Sequence, residues 1–220
     1  MSEVQIQVGR EILPGNLTIP ENAVALVLFA HGSGSSRHSP RNQFVARTLN
    51  GAGLATLLFD LLTPEEEATD MRTREHRFNI GLLADRLVHA TRWARRQEQT
   101  RDLQVGYFGS STGGAAALVA AAEIPNDVHA VVSRGGRPDL AGDALPNVQA
   151  PTLLIVGGND DIVIELNEMA RDRMSCEVNL EIVPGATHLF EESGALEKVA
   201  KLAADWFVGH LGGKVAFSEE

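Results

Sequence analysis

The chain has 220 residues, and 29 Asp and Glu against 19 Lys and Arg give it a formal net charge of −10. So acidic a balance argues against a nucleic-acid surface and against binding to anionic membranes. Hydrophobic residues make up 44% and charged residues 22%, as in ordinary globular proteins, and the single Cys176 excludes an intramolecular disulfide or a cysteine-based metal cluster.

The N-terminus, Met1 to Ile6, has neither a basic region nor a long apolar run, and no 18-residue uncharged apolar segment occurs. No signal peptide or membrane span is expected, and cytoplasm is the expected compartment. Val4–Val8 and Ile12–Ile19 read as antiparallel strands turned near Gly9, the second at a sheet edge because Pro14 lacks an N–H. Ala23–Ala30 is a continuous apolar run, as a parallel strand buried on both faces requires. A loop, 31–36, and a helix over 40–50 follow, then a second buried strand over 54–62. The polar, acidic stretch 63–74 reads as a loop. A helix is predicted over about 76–97, its apolar face carried by residues such as Ile80, Leu83, Leu87 and Trp93.

Next come a strand over 103–108 with its helix ending near Ile124, a strand over 128–133, and a loop or short turn over 134–149. A strand over 151–157, a helix over 162–174, a strand over 178–183 and an amphipathic helix over 195–211 complete the pattern, with 217–220 as a loose tail. Strands alternating with helices of ten to twenty residues mean crossover units and a mostly parallel sheet. Without a linker or repeat, residues 1–220 are expected to form a single α/β domain.

One stretch carries chemistry. Gly109-Ser110-Ser111-Thr112-Gly113 fits G-x-S-x-G, in which a serine sits on a sharp strand-to-helix turn. Side chains two before and two after it would collide where strand and helix touch, so both positions want glycine. The pentapeptide alone is weak, and a glycine-rich turn without chemistry is the bland alternative. An apolar strand before it and a run of small residues, Gly113 to Ala117, after it supply the required context.

A serine nucleophile needs a base and an acid, and in open α/β sheets these belong in loops leaving the carboxyl ends of strands. Of seven histidines, His188 is best placed, in the turn-rich loop after the last strand. The acid falls in Gly157-Gly158-Asn159-Asp160-Asp161. Asp160 is preferred and Asp161 suits a helix cap, although the two could exchange roles. The order Ser111, Asp160, His188 is the order expected of this arrangement. The N–H groups of Thr112 and of Ser33, in the Gly-rich loop after the first long strand, are the candidate oxyanion donors.

These motifs, Phe29 to Ser36, Phe108 to Gly114, Leu154 to Asp160 and Gly185 to His188, resemble those of the α/β-hydrolase superfamily. Within it, the chain is similar to the small, lidless dienelactone hydrolase-like group over roughly residues 20 to 210. The resemblance implies a sheet of about 7–8 strands with helices on both faces and no cap domain. Dienelactone hydrolases proper carry a cysteine nucleophile where this chain has Ser111, which favours an ordinary serine esterase; Cys176 is assigned to packing.

The expected function is therefore hydrolysis of small-molecule esters through an acyl-enzyme on Ser111, with no organic cofactor and no metal, by a monomer or homodimer. A thioesterase or acyltransferase with the same triad, and a silent binding module on this fold, are the alternatives. Arg134, His31 and Arg37 are candidate substrate contacts, because a guanidinium at the mouth could hold a substrate carboxylate. Weighing more heavily, Arg134, Arg137, Arg37 and Arg41 could simply pair with Asp139, Glu65, Glu66 or Glu67.

Overall fold

In the computed structural model, which describes residues 1–212, the apolar runs become strands β1 (Ser2–Val8), β2 (Glu11–Thr18), β3 (Ala25–Ala30), β4 (Ala55–Phe59), β5 (Gln104–Ser110), β6 (Val128–Arg134), β7 (Thr152–Gly157) and β8 (Val178–Val183). They form one sheet in the order β1-β2-β4-β3-β5-β6-β7-β8. Only β1 and β2 run antiparallel to their neighbours; from β4 to β8 every pairing is parallel. Helices α1 (Pro40–Gly51), α2 (Pro64–Thr73), α3 (Ile80–Ala94), α4 (Thr112–Glu123), α5 (Asp161–Arg171) and α6 (Ala195–Leu211) connect and flank the strands. The stretch 217–220, expected as a tail, lies outside the described residues.

The strands lack polar alternation because each of their faces covers a different core. Leu26 and Leu28 of β3 pack with Leu83 and Leu87 of α3 and Ala116 and Ala120 of α4. Val27 and Phe29, one residue out of phase, pack with Val45 and Leu49 of α1 and Val199 and Phe207 of α6. Each buried Leu, Val or Phe among them contributes ~1.5–3 kcal/mol relative to exposure, so neither face could become polar cheaply.

Three expectations need correction. The edge belongs to β1, not to β2 with its Pro14. The β2–β4 ladder covers Gly15–Thr18, and Pro14 lies at its end, where its carbonyl still accepts the Asp60 N–H at 3.1 Å and its missing N–H costs a single terminal bond. The stretch 63–74, read as a loop, contains α2. Its start is fixed by Pro64 and by a reciprocal cap, Glu66 N–H to Thr63 Oγ1 (3.2 Å) and Thr63 N–H to Glu66 Oε2 (2.8 Å). Helix α3 begins four residues later than predicted. Asp70 Oδ1 takes the N–H groups of His76 and Arg77, both at 2.9 Å, and Asn79 Oδ1 caps Leu82 N–H at 3.1 Å.

Because β3 to β8 are parallel, the loops after them leave from one sheet edge. The chain steps from β3 to β4 on one side and returns to β5 on the other. The strand order therefore reverses between β3 and β5, which opens a crevice at their carboxyl ends. The loop after β3 holds Ser33, and the turn after β5 holds Ser111.

Candidate active site

Ser111 occupies the junction of β5 and α4 with φ 52° and ψ −123°, a conformation that costs ~1–3 kcal/mol for a residue with a side chain. The two glycines around it are sterically required. A Cβ on Gly109 would strike the Gly113 carbonyl and lie 2.6 Å from Gly114 Cα, and one on Gly113 would strike the Ala30 carbonyl. The turn therefore holds only because β5, α4 and the end of β3 touch backbone to backbone.

Across the same edge, His188 Nδ1–H donates to Asp160 Oδ2 at 2.7 Å. A carboxylate only accepts, so this bond puts the ring proton on Nδ1 and leaves the Nε2 lone pair free. The two loops are stitched together beforehand. Gly158 N–H bonds Val183 O (2.8 Å), Asn159 N–H bonds Ala186 O (2.9 Å) and the Asn159 amide bonds Gly185 O (3.0 Å). Asp161 instead opens α5, where its charge favours the helix N-terminus.

The turn 134–137 lies between the serine and the histidine. Ser111 N–H donates to Arg134 O (3.3 Å), and Ser111 O accepts from Arg137 N–H (3.1 Å). On its other side Gly135, with φ +51°, lies so close that a Cβ there would come 3.1 Å from His188 O and 3.6 Å from His188 Cε1. Among the described residues the Ser111 hydroxyl makes no hydrogen bond to His188. Apo sites commonly close that bond only with substrate.

Ser33 and Thr112 also meet, their hydroxyls 3.1 Å apart. Their backbone N–H groups have no partner among the described residues. An open cleft of about 540 Å³ runs from Ser33 past Ser36, His38, Arg41, Asp60 and Glu67.

The candidate substrate contacts fare differently. His31 is buried with both ring nitrogens engaged: Nδ1–H donates to Gly32 O (2.9 Å) and Nε2 accepts Leu61 N–H (3.0 Å). Burial lowers its pKa despite the opposing pull of the Gly32 carbonyl and of the Asp60 and Glu67 charges. It props the Ser33 loop and has no nitrogen to offer a substrate, which corrects that expectation. Arg37 is likewise occupied: its guanidinium pairs with Asp60, and its N–H bonds Asp60 Oδ1 at 2.7 Å.

Of the other arginines, Arg137 pairs with Asp139 (2.8 Å) as weighed from the sequence, and Arg41 reaches Glu191 (3.0 Å). Arg134 has no acidic partner among the described residues. Burial, with repulsion from Arg41, lowers its pKa to about 10.

A strut behind the Ser33 loop was missed from sequence. Fully buried Asp70, on α2, binds Arg77 Nε at 2.7 Å, and the Arg77 carbonyl accepts from Ser33 Oγ at 3.4 Å. The Thr63–Glu66 capping spacing that reveals α2 was the available signal. Cys176 precedes β8 and so lies at the opposite end of the parallel strands from Ser111.

Residues 23–205 match the model of a family described as an alpha/beta hydrolase domain. The chain is similar to a crystallised dienelactone hydrolase of Anabaena variabilis, 62% identical over 96% of this chain and 97% of that one, with a TM-score of 0.94. An esterase domain from a Rhodothermus marinus protein shares the fold at 23% identity, over 96% of this chain and 99% of that one, with a TM-score of 0.75. Two Mycobacterium tuberculosis proteins provisionally named phosphoribosyl transferases are 61% identical over 211 residues. That match takes in 96% of this chain but 47% of theirs, so the chain spans about half the length of these curated relatives.

Proposed function

The chain belongs to the alpha/beta hydrolase family, and within it we propose a serine carboxylesterase acting on small esters. The observation that carries this reading is the strained Ser111 turn, with φ 52°, on the same sheet edge as the hydrogen-bonded Asp160–His188 pair. Backbone strain concentrates where a side chain must be held in one place, and here that side chain is a hydroxyl.

In the proposed mechanism, the Ser111 Oγ attacks the ester carbonyl carbon while His188 Nε2 takes its proton. The oxyanion of the tetrahedral intermediate accepts hydrogen bonds from the Ser33 and Thr112 N–H groups. His188 then passes the proton to the departing alkoxide, which leaves as the alcohol and an acyl-enzyme. Water, deprotonated by His188, repeats the attack and releases the acid. Asp160 holds the imidazole in its tautomer and stabilises the imidazolium.

Residues 1–220 are proposed to act as a single domain, with a small ester as the partner and the cytoplasm as the compartment. No helix among the described residues is long and apolar enough to cross a membrane. The transferase name of the mycobacterial proteins describes chains about twice as long, and the Ser111 site makes no use of it.

Labelling with a fluorophosphonate at neutral pH tests the reading. Mass mapping is expected to find the label on Ser111, and His188→Ala is expected to abolish it. An unlabelled, folded wild-type protein would hand the case to a silent binding module.

A further inference from the structure

Arg134 is the charge that the proposed triad leaves unexplained. It ends β6 and is only 7% exposed, with Nε and Nη1 sealed from solvent and without a hydrogen-bond partner. Buried cations are ordinarily paired, because desolvation of an unpaired charge is costly. Strand alternation puts Arg134 on the face of Ala130 and Val132, which α1 and α6 cover together, α6 packing directly on β6.

The charge that reaches it there has the same sign. Arg41 stands in the first turn of α1, repels Arg134, and also has a buried Nε without a partner. That turn holds no acidic residue; Ser39 caps the Asn42 N–H at 3.3 Å and Pro40 has none, which leaves the Arg41 N–H as the donor of the turn facing outward. The carboxylate within reach of Arg41 is Glu191, 63% exposed and 3.0 Å away. Glu191 thus answers Arg41 alone, and among the described residues no carboxylate pairs with Arg134. A Met or Leu would fill the Arg134 position without that repulsion.

We propose that Arg134 and Arg41, with the first turn of α1, form an anion subsite that receives a compact oxyanion group, phosphate or carboxylate, carried by the ester substrate. Calling the anion part of an ester rests on the hydrolase reading above. The location supports it: the Arg134 carbonyl accepts the Ser111 N–H at 3.3 Å, and Gly135 abuts His188. Arg41 also lines the cleft that begins at Ser33. Guanidinium groups suit both anions, since their planar N–H forks match paired oxygens.

Thermal denaturation of the full chain, titrated with inorganic phosphate or acetate against chloride at matched ionic strength, tests the subsite without turnover. The wild-type Tm is expected to rise saturably with at least one of the two oxyanions, which identifies the anion, and Arg134→Met is expected to abolish the rise. No saturable rise with either, or an equal rise in Arg134→Met, overturns the proposal. Should Arg134→Met not fold, Arg41→Gln, at a part-exposed position, carries the same test. Its anion midpoint is expected to climb about tenfold, and an unmoved midpoint overturns the proposal.

Ester pairs differing only by a phosphate or carboxylate substituent then read selectivity. The ratio of kcat/KM, charged over neutral, is expected to fall roughly 10- to 100-fold in Arg134→Met. An unchanged ratio overturns the assignment to substrate. Anion binding that depends on Arg134 in a protein whose Ser111 resists fluorophosphonate supports the subsite and removes the hydrolase reading. Labelled Ser111 without anion binding does the reverse.

Discussion

The hydroxyls of Ser33 and Thr112, 79 positions apart in the chain, lie 3.1 Å apart in the fold. The bond ties the loop after β3 to the first residue of α4, and so sets the spacing of the two N–H groups proposed to receive the oxyanion. Thr112→Val keeps the shape and removes the tie, leaving Ser33 Oγ with its 3.4 Å bond to the Arg77 carbonyl. A lost hydrogen bond is worth ~1 kcal/mol, so kcat is expected to fall about fivefold. KM should barely move, because the oxyanion exists only along the reaction path. Steady-state kinetics on a short ester check this. A change confined to KM would assign the tie to substrate binding instead.

Asp160→Asn preserves the side-chain shape but removes the charge that fixes the His188 tautomer. A loss of roughly a thousandfold or more in kcat is expected, with the fold intact by circular dichroism. Asp161→Asn, at the first position of α5, should change kcat no more than a few-fold. Comparable losses in both variants would show that the 2.7 Å contact of Asp160 does not single it out.

His31 predicts an acid-side loss of stability. Its folded pKa lies below the ordinary 6.5 because burial opposes the charge and Nε2 must accept the Leu61 N–H. Between the two values the unfolded chain binds the proton and the folded protein refuses it. Stability is therefore complete above pH 6.5 and declines as pH falls toward the folded pKa. Urea denaturation between about pH 7.5 and 5.5 should show that decline in wild type and a flatter profile in His31→Asn. Parallel profiles would mean that other groups dominate.

Asp70 acts at lower pH. Burial alone would raise its carboxyl pKa, but hydrogen bonds from Arg77 and His76, with the Arg77 charge, hold it below 3.8. Its contribution is present above 3.8 and is lost as pH falls through the depressed value. Breaking a buried pair costs about 3 kcal/mol, so Asp70→Asn should lower Tm by roughly 10 °C at neutral pH. Because Arg77 also supports Ser33, kcat should fall with it. Calorimetry beside kinetics checks both, and an unchanged Tm would remove Asp70 as a strut.

The strands were readable because burial on both faces writes itself as unbroken apolar runs, as in Ala25–Ala30. The Ser111 turn was readable because its steric demand falls on two glycines within five residues. Helix α2 was obscured by its run of acidic residues, Glu65 to Glu67, although Thr63 and Glu66 spell its cap. The position of β2 was misjudged because Pro14 falls at the end of the β4 ladder, where its missing N–H costs one terminal bond and its carbonyl still pairs with Asp60.

By itself the sequence determined what depends on neighbours in the chain: strand period, the glycine-flanked serine, and the order in which Ser111, Asp160 and His188 occur. Tertiary structure alone decided which polar groups meet. Arg37 finds Asp60, Asp70 finds Arg77 beside the Ser33 loop, His31 spends both nitrogens on backbone, and Arg134 is left with a cation for company. Crossovers bring those partners together from separate loops, and several carboxylates lie within reach of each guanidinium along the chain. No local period or steric rule records which of them it meets in space.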